Sequence, residues 1–253
     1  MLVLAVIPAR LSAKRLARKP LRLLGGEPLI VRVYERVVAL GIADYVVVAT
    51  DHPEVLAVCA ARGISALLTR DDHPSGTDRV AEIAGRPEFA RYSVILNVQG
   101  DEPFVSRDAL AGAVDIVVKG VAPIGTAASP MSGSAMTTPD VVKVVLGNDG
   151  RALYFSRASI PFVREPADAP LQHQLARQHV GVYAYTPQAL QAWVSWAPHP
   201  LELVERLEQL RPMAHGLVIG VADVPVAEGG IDTEDDLDRA NLFWNALHTN
   251  TLP

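Results

Sequence analysis

The sequence has one cysteine, Cys59, among 253 residues, so it can close no disulfide within the chain and build no cysteine-rich metal cluster. Cys59 stands with Val55, Leu56 and Val58 in a helical pattern and reads as core packing. The seven histidines fall at no zinc-ligand spacing, and there is no His-Glu-x-x-His string. Missing too are the Gly-x-Ser-x-Gly elbow of a serine hydrolase, the Walker P-loop and the Gly-x-Gly-x-x-Gly turn. No run approaches the roughly 18 uncharged apolar residues of a membrane-spanning helix. The apolar opening MLVLAVIPAR has no basic segment ahead of it and is interrupted by Pro8, which favours a first strand over a secretory signal. Positive charge is not in excess: a net charge of -5 argues against general nucleic-acid or membrane-surface binding. These absences point to a globular chain with a reducing cytoplasm as its expected location. The lack of an evident protein nucleophile points toward chemistry driven by positioning and electrostatics.

What is present is an α/β pattern. At 49% hydrophobic and 20% charged residues, the chain can bury a substantial core, and it reads as a single domain over 1–253. Apolar strands at Leu2 to Ile7, Tyr45 to Ala49, Ser65 to Leu68 and Ser93 to Val98 alternate with helices. One helix runs from Pro28 to Leu40, with Ile30, Val33, Val37 and Val38 on a face and Gly41 at its end. A second follows a cap at Asp51 and closes at Gly63; further turns follow Thr77 and span Arg107 to Val118. This alternation predicts a parallel sheet covered on both faces. The second half is less regular. A hairpin is expected from Val141 to Leu146 through Gly147-Asn148-Asp149-Gly150 to Ala152 to Phe155. Helices are expected over Pro187 to Val194, Pro200 to Leu210 and Glu234 to Leu247, a strand over Leu217 to Val221, and a flexible loop over Pro130 to Pro139.

Ligands of such sheets bind in the loops after the strands. The loop after the first strand holds Arg10, Lys14, Arg15, Arg18, Lys19 and Arg22 before any acid appears. Six cations in an acidic protein suit an anionic occupant such as a triphosphate; a solvated loop or an RNA contact is the alternative. The strongest strand ends in Asn97-Val98-Gln99-Gly100-Asp101-Glu102-Pro103, whose carboxylate pair suits a hard cation or a charged turn. A second acidic segment, Ile231-Asp232-Thr233-Glu234-Asp235-Asp236, can either supply a metal carboxylate or cap the last helix through Asp232 or Thr233.

Nine blocks in order, IPARLSAKRLARKPL, ATDHPEV, DHPSGTDRVAE, VILNVQGDEPF, VVKVVL, ALYFSRASIPF, QHVGVYAY, LELVERLEQLR and GIDTEDDL, resemble the CMP-KDO synthetases (3-deoxy-manno-octulosonate cytidylyltransferases) over nearly the whole chain. The resemblance implies a Rossmann-like nucleotidyltransferase fold, a mostly parallel sheet flanked by helices, with a smaller sugar-binding and dimerisation part and a homodimeric assembly. It implies transfer of CMP from CTP to the acidic 2-keto-3-deoxy sugar KDO, releasing pyrophosphate, for lipopolysaccharide biosynthesis. By the same resemblance Pro8, Ala9, Arg10, Arg15, Lys19, Arg79, Gln99 and Gly100 would line the nucleotide site. Asp101 and Asp232 would hold Mg2+, and with Arg15 and Lys19 they form the expected catalytic set. Gln99, Arg157, Arg164, His179, Tyr183, Glu208 and Gln209 would face the sugar acid.

The chain departs from the family pattern at several positions. Arg18 replaces the glycine of Leu-Pro-Gly-Lys-Pro, and Ala13 stands where a hydroxyl residue is usual, with Ser12 one place earlier. Gln178 and Thr186 stand where basic residues are common. The readings that compete are a cytidylyltransferase for a related acid (8-amino-KDO or a nonulosonate), a sugar-1-phosphate nucleotidyltransferase, and a non-catalytic nucleotide- or RNA-binding protein of the same fold.

Overall fold

The protein's structure, a computed structural model, describes residues 1–12, 15–131, 133–225 and 229–249; Lys14 of the basic loop and the departure at Ala13 lie outside the described residues. Strand β1 (Val3–Ala9) leads through a 3-10 turn at Lys19–Leu21 and a short ribbon, β2 (Leu23–Leu24) and β3 (Glu27–Pro28), into α1 (Leu29–Leu40). There follow β4 (Tyr45–Thr50), α2 (Pro53–Ala60), β5 (Ala66–Leu68), α3 (Gly76–Ala84), β6 (Val94–Asn97) and α4 (Arg107–Val118). Then come β7 (Ile124–Pro130), β8 (Lys143–Leu146), β9 (Ala152–Ser156), α5 (Ala169–Leu175) and β10 (Ala176–Tyr185). The last elements are α6 (Pro187–Ser195), α7 (Pro200–Glu205), α8 (Leu210–Ala214), β11 (Ile219–Asp223) and α9 (Glu234–Thr249). They gather into two compact units, one from the described residues of 2–91, 97–105 and 228–253, the other from those of 92–96 and 106–227.

In the first unit β1, β4 and β5 run parallel, with Leu4 opposite Tyr45, Ala9 opposite Thr50 and Val48 opposite Ala66. Leu4 through Ile7 are fully buried, as an apolar run covered on both faces must be. Helix α1 buries Leu29, Ile30, Val33 and Val37, and Gly41 ends it in the left-handed region. Val38, read with that face, is 50% exposed because it lies about 100° around the helix from Val37. Cys59 is buried as expected, and burial pushes its thiol up to about 11. The cap of α2 is His52, whose ring accepts the Glu54 amide at 3.2 Å, and not Asp51.

The second unit mixes directions. β11 pairs parallel with β7, while β10 pairs antiparallel with both β7 and β8, and β8 and β9 form the expected hairpin. Helix α4 lies so close on β7 that a Cβ at Gly125 would sit 2.1 Å from the Ala113 carbonyl oxygen, which excludes any larger residue there. The expected helix Pro200 to Leu210 is broken, because Arg206 turns into the left-handed region (φ 54°) and separates α7 from α8. Within Pro130 to Pro139, a 3-10 turn at Gly133–Thr137 buries Ala135 and Met136. The α/β class read from the sequence is the one observed.

Candidate active site

Three stretches of the first unit meet at Lys19. Its Nζ donates to Asp232 Oδ1 at 2.7 Å and to Asp101 Oδ2, and Arg15 donates to Asp232 Oδ2 at 2.8 Å. The structure thus brings together residues read from the basic loop, the end of β6 and the segment before α9. Burial works against the charge on Lys19, but the two aspartates outweigh it and hold its pKa above the ordinary lysine value. Beside them Glu102 is pushed up to about 8, first by loss of water and then by repulsion from Asp101 and Asp232. Two carboxylates that meet on one ammonium can meet on one hard cation. Among the described residues no group of three or more His, Cys, Asp or Glu is placed to hold a metal ion.

Local structure explains why Asp232 is available for this. Thr233 is the cap of α9: its hydroxyl accepts the Asp236 amide at 3.1 Å, while the Asp236 carboxylate accepts the Thr233 amide at 2.9 Å. Capping is done by the neighbour, so Asp232 points at Lys19 and Arg15. A backbone bond from the Ile231 amide to the Asp101 carbonyl, 2.9 Å, ties the two acidic segments together. Gly100 lies against β1, where a Cβ would come 2.7 Å from the Pro8 carbonyl oxygen. Of the other residues expected at the nucleotide, Ala9 closes β1 with Pro8, Arg10 is exposed and Gln99 half-buried.

Arg79 has a different setting. It is buried, and its guanidinium donates to Asp51 Oδ2 at 3.0 Å, to the Arg70 carbonyl at 3.2 Å and to the Thr69 hydroxyl. The other oxygen of Asp51 accepts the Leu11 amide at 3.3 Å. Arg79 therefore reaches the basic loop through Asp51, whose role the sequence did not reveal beyond its proximity to a helix start.

The residues expected to face the sugar lie in the second unit. Arg157 gives its guanidinium to backbone carbonyls, Glu205 at 2.9 Å and Pro139 at 3.0 Å, and its amide to the Glu205 carboxylate at 2.9 Å. Arg164 is almost fully exposed. His179 and Tyr183 stand 5.4 Å apart, centroid to centroid, in an aromatic group with Phe155 and Trp193. Burial drives the His179 pKa down to about 3 and the Tyr183 pKa well up. Gln209 is buried and Glu208 half-buried. Sequence reasoning gave no role to Lys143, which is wholly buried with its ammonium donating to the carbonyls of Thr138, Val141 and Arg157 at 2.7, 2.8 and 2.9 Å. A lone lysine inside the apolar run VVKVVL was the available signal.

Two departures acquire a local reason. Arg18 keeps a left-handed backbone (φ 55°), the conformation a glycine takes freely, and its side chain pairs with Glu54. Thr186 caps α6, its hydroxyl accepting the Ala189 amide at 3.2 Å. Nothing in the structure explains Gln178.

Comparison with known proteins agrees in kind. A model of the cytidylyltransferase family matches residues 4–220. A 3-deoxy-manno-octulosonate cytidylyltransferase of Gemmatimonas aurantiaca is 70% identical over 97% of this chain and 95% of that protein. One of Herminiimonas arsenicoxydans is 46% identical over 94% and 97%. The solved structure of a CMP:2-keto-3-deoxy-manno-octonic acid synthetase complexed with CTP superposes with a TM-score of 0.88 at 34% identity, covering 100% of both chains. A putative glucose-1-phosphate thymidylyltransferase from Bacillus anthracis shares the fold alone, with a TM-score of 0.66 at 13% identity over 96% and 95%.

Proposed function

Because the chain belongs to the family of 3-deoxy-manno-octulosonate cytidylyltransferases, we propose that it transfers CMP from CTP to 3-deoxy-manno-octulosonate, giving CMP-KDO and pyrophosphate for lipopolysaccharide biosynthesis. The observation that carries this reading is the meeting of Asp101 and Asp232 on Lys19, with Arg15 alongside. Arg15 and Lys19 hold the triphosphate and offset the charge that spreads onto it as pyrophosphate departs. On this reading the Lys19 ammonium moves from the aspartates to phosphate oxygens when CTP enters. Asp101 and Asp232 would hold magnesium, which when bound supplies charge neutralisation and eases loss of the proton from the attacking sugar hydroxyl. Pro8, Ala9, Gln99 and Gly100 form the floor, where the absence of a Cβ at Gly100 keeps the loop against Pro8. Arg79 is a positioning residue that fixes Leu11 through Asp51. The family's homodimeric assembly and a cytoplasmic site of action belong to the same proposal; no described helix is long and apolar enough to cross a membrane.

The test is pyrophosphate release with CTP, magnesium and a panel of acceptors. Turnover with KDO, loss of it on chelation, and none with sugar 1-phosphates is the expected result. Turnover with 8-amino-KDO or a nonulosonate but not KDO would transfer the proposal to that acid. CTP binding without turnover on any acceptor would leave a non-catalytic nucleotide-binding protein.

A further inference from the structure

Strand β10 carries two extra residues opposite β7: Val180 faces Ala127 and Tyr183 faces Thr126, so Gly181 and Val182 bulge out of the ladder. A bulge leaves carbonyls without strand partners. Here the buried Thr126 hydroxyl takes them up, lying 2.6 Å from the Val182 carbonyl oxygen and 3.2 Å from that of Val180. The same hydroxyl oxygen is 3.0 Å from His179 Nε2. A hydroxyl has one proton, and both carbonyls can only accept it, so toward His179 the oxygen can only accept. His179 Nε2 therefore carries the hydrogen, and in the neutral ring Nδ1 is left with a lone pair. Removal from water keeps the ring neutral, and Phe155 and Tyr183 at 5.0 and 5.4 Å fix its plane.

We propose that Thr126 is a positioning residue that locks His179 in the Nε2–H form, so that His179 meets the sugar acid as an acceptor for one of its hydroxyls and not as a cation for its carboxylate. This rests on the reading that His179 faces the sugar. It assigns the bulge a purpose: to hold a proton donor over the two carbonyls and so fix the ring's proton.

The test is 15N NMR of histidine-labelled full-length protein, with His179 assigned by His179→Gln. The wild-type protein should show protonated Nε2 and bare Nδ1, and the Nδ1 resonance should shift when KDO is added with CTP and magnesium. Thr126→Val should lose the tautomer preference and raise KM for the sugar about fivefold, the loss of one neutral hydrogen bond, with KM for CTP unchanged. Thr126→Ser should restore both. An imidazolium or a protonated Nδ1 in the wild type would overturn the proposal outright. The expected tautomer with an Nδ1 resonance indifferent to every sugar acid that turns over would instead remove His179 from the sugar site. If Thr126→Val does not fold, the wild-type spectrum and Thr126→Ser still decide.

Discussion

Lys19 in the first unit, and Lys143 and Arg157 in the second, are held in opposite ways. Around Lys19, positive and negative side chains pair with each other while keeping contact with water: Asp232 and Arg15 are 43% and 57% exposed. Around Lys143 and Arg157, the positive side chains are spent on backbone carbonyls, and Lys143 has no exposure at all. A half-exposed ion pair is worth little to stability and can change partners quickly. An ammonium enclosed by three carbonyls is part of the frame. The first arrangement suits a place where a triphosphate and a metal come and go; the second suits a wall whose shape must not change.

Substitutions in the two places should therefore differ in kind, and similar effects would show that the two sets of cations are not distinct. The largest expected effect is on rate: Asp101→Asn should lower kcat about 1,000-fold or more, with a thermal unfolding curve close to the parent. Activity within a few-fold would remove Asp101 from the chemistry. Arg79 of the first unit is by contrast buried on Asp51, and Arg79→Met strands that half-buried carboxylate. A loss of about 3 kcal/mol in urea unfolding is expected, with a raised KM for CTP through the freed Leu11 amide. Lys143→Met should cost about 2 kcal/mol by orphaning three carbonyls, and should affect the sugar KM but not that for CTP.

Glu102 gives a finer discrimination through pH. With its pKa pushed from 4.5 to about 8, the folded protein holds a proton there that the unfolded chain has released. Metal-free stability should therefore fall as pH rises from about 4.5 to about 8, and Glu102→Gln should flatten that slope in denaturant titrations. The smallest effect is expected at Arg18. Arg18→Gly relieves a left-handed backbone but loses the exposed pair with Glu54, for a net gain of about 0.5 kcal/mol in unfolding free energy. A large loss would show that the arginine is needed beyond its backbone.

Where the sequence was legible, the reason was usually periodicity or punctuation. Gly41 marks the end of α1, and α4 spans Arg107–Val118 as its pattern suggests. The convergence on Lys19 was legible only as family likeness, since composition could not choose between capping and metal binding for the segment that holds Asp232 and Thr233. That choice depends on the Asp236 side chain turning back to the Thr233 amide. β7 was missed because Ile124-Gly125-Thr126-Ala127-Ala128-Ser129-Pro130 consists mainly of small residues, selected by the close approach of α4 and not by strand propensity. The break at Arg206 was hidden because its left-handed turn uses neither glycine nor proline.

The spacing of the Lys19 cluster along the chain has a consequence for synthesis. Lys19 and Asp101 emerge early, but Asp232 lies 213 residues beyond Lys19. On the ribosome the parallel strands of the first unit can pair while Lys19 still lacks one of its two counter-charges. The Thr233 cap and α9 deliver that charge last. A nascent chain can thus have its first strands paired while Lys19 and Arg15 still lack the Asp232 carboxylate, so the charge balance of the cluster is completed only late in translation.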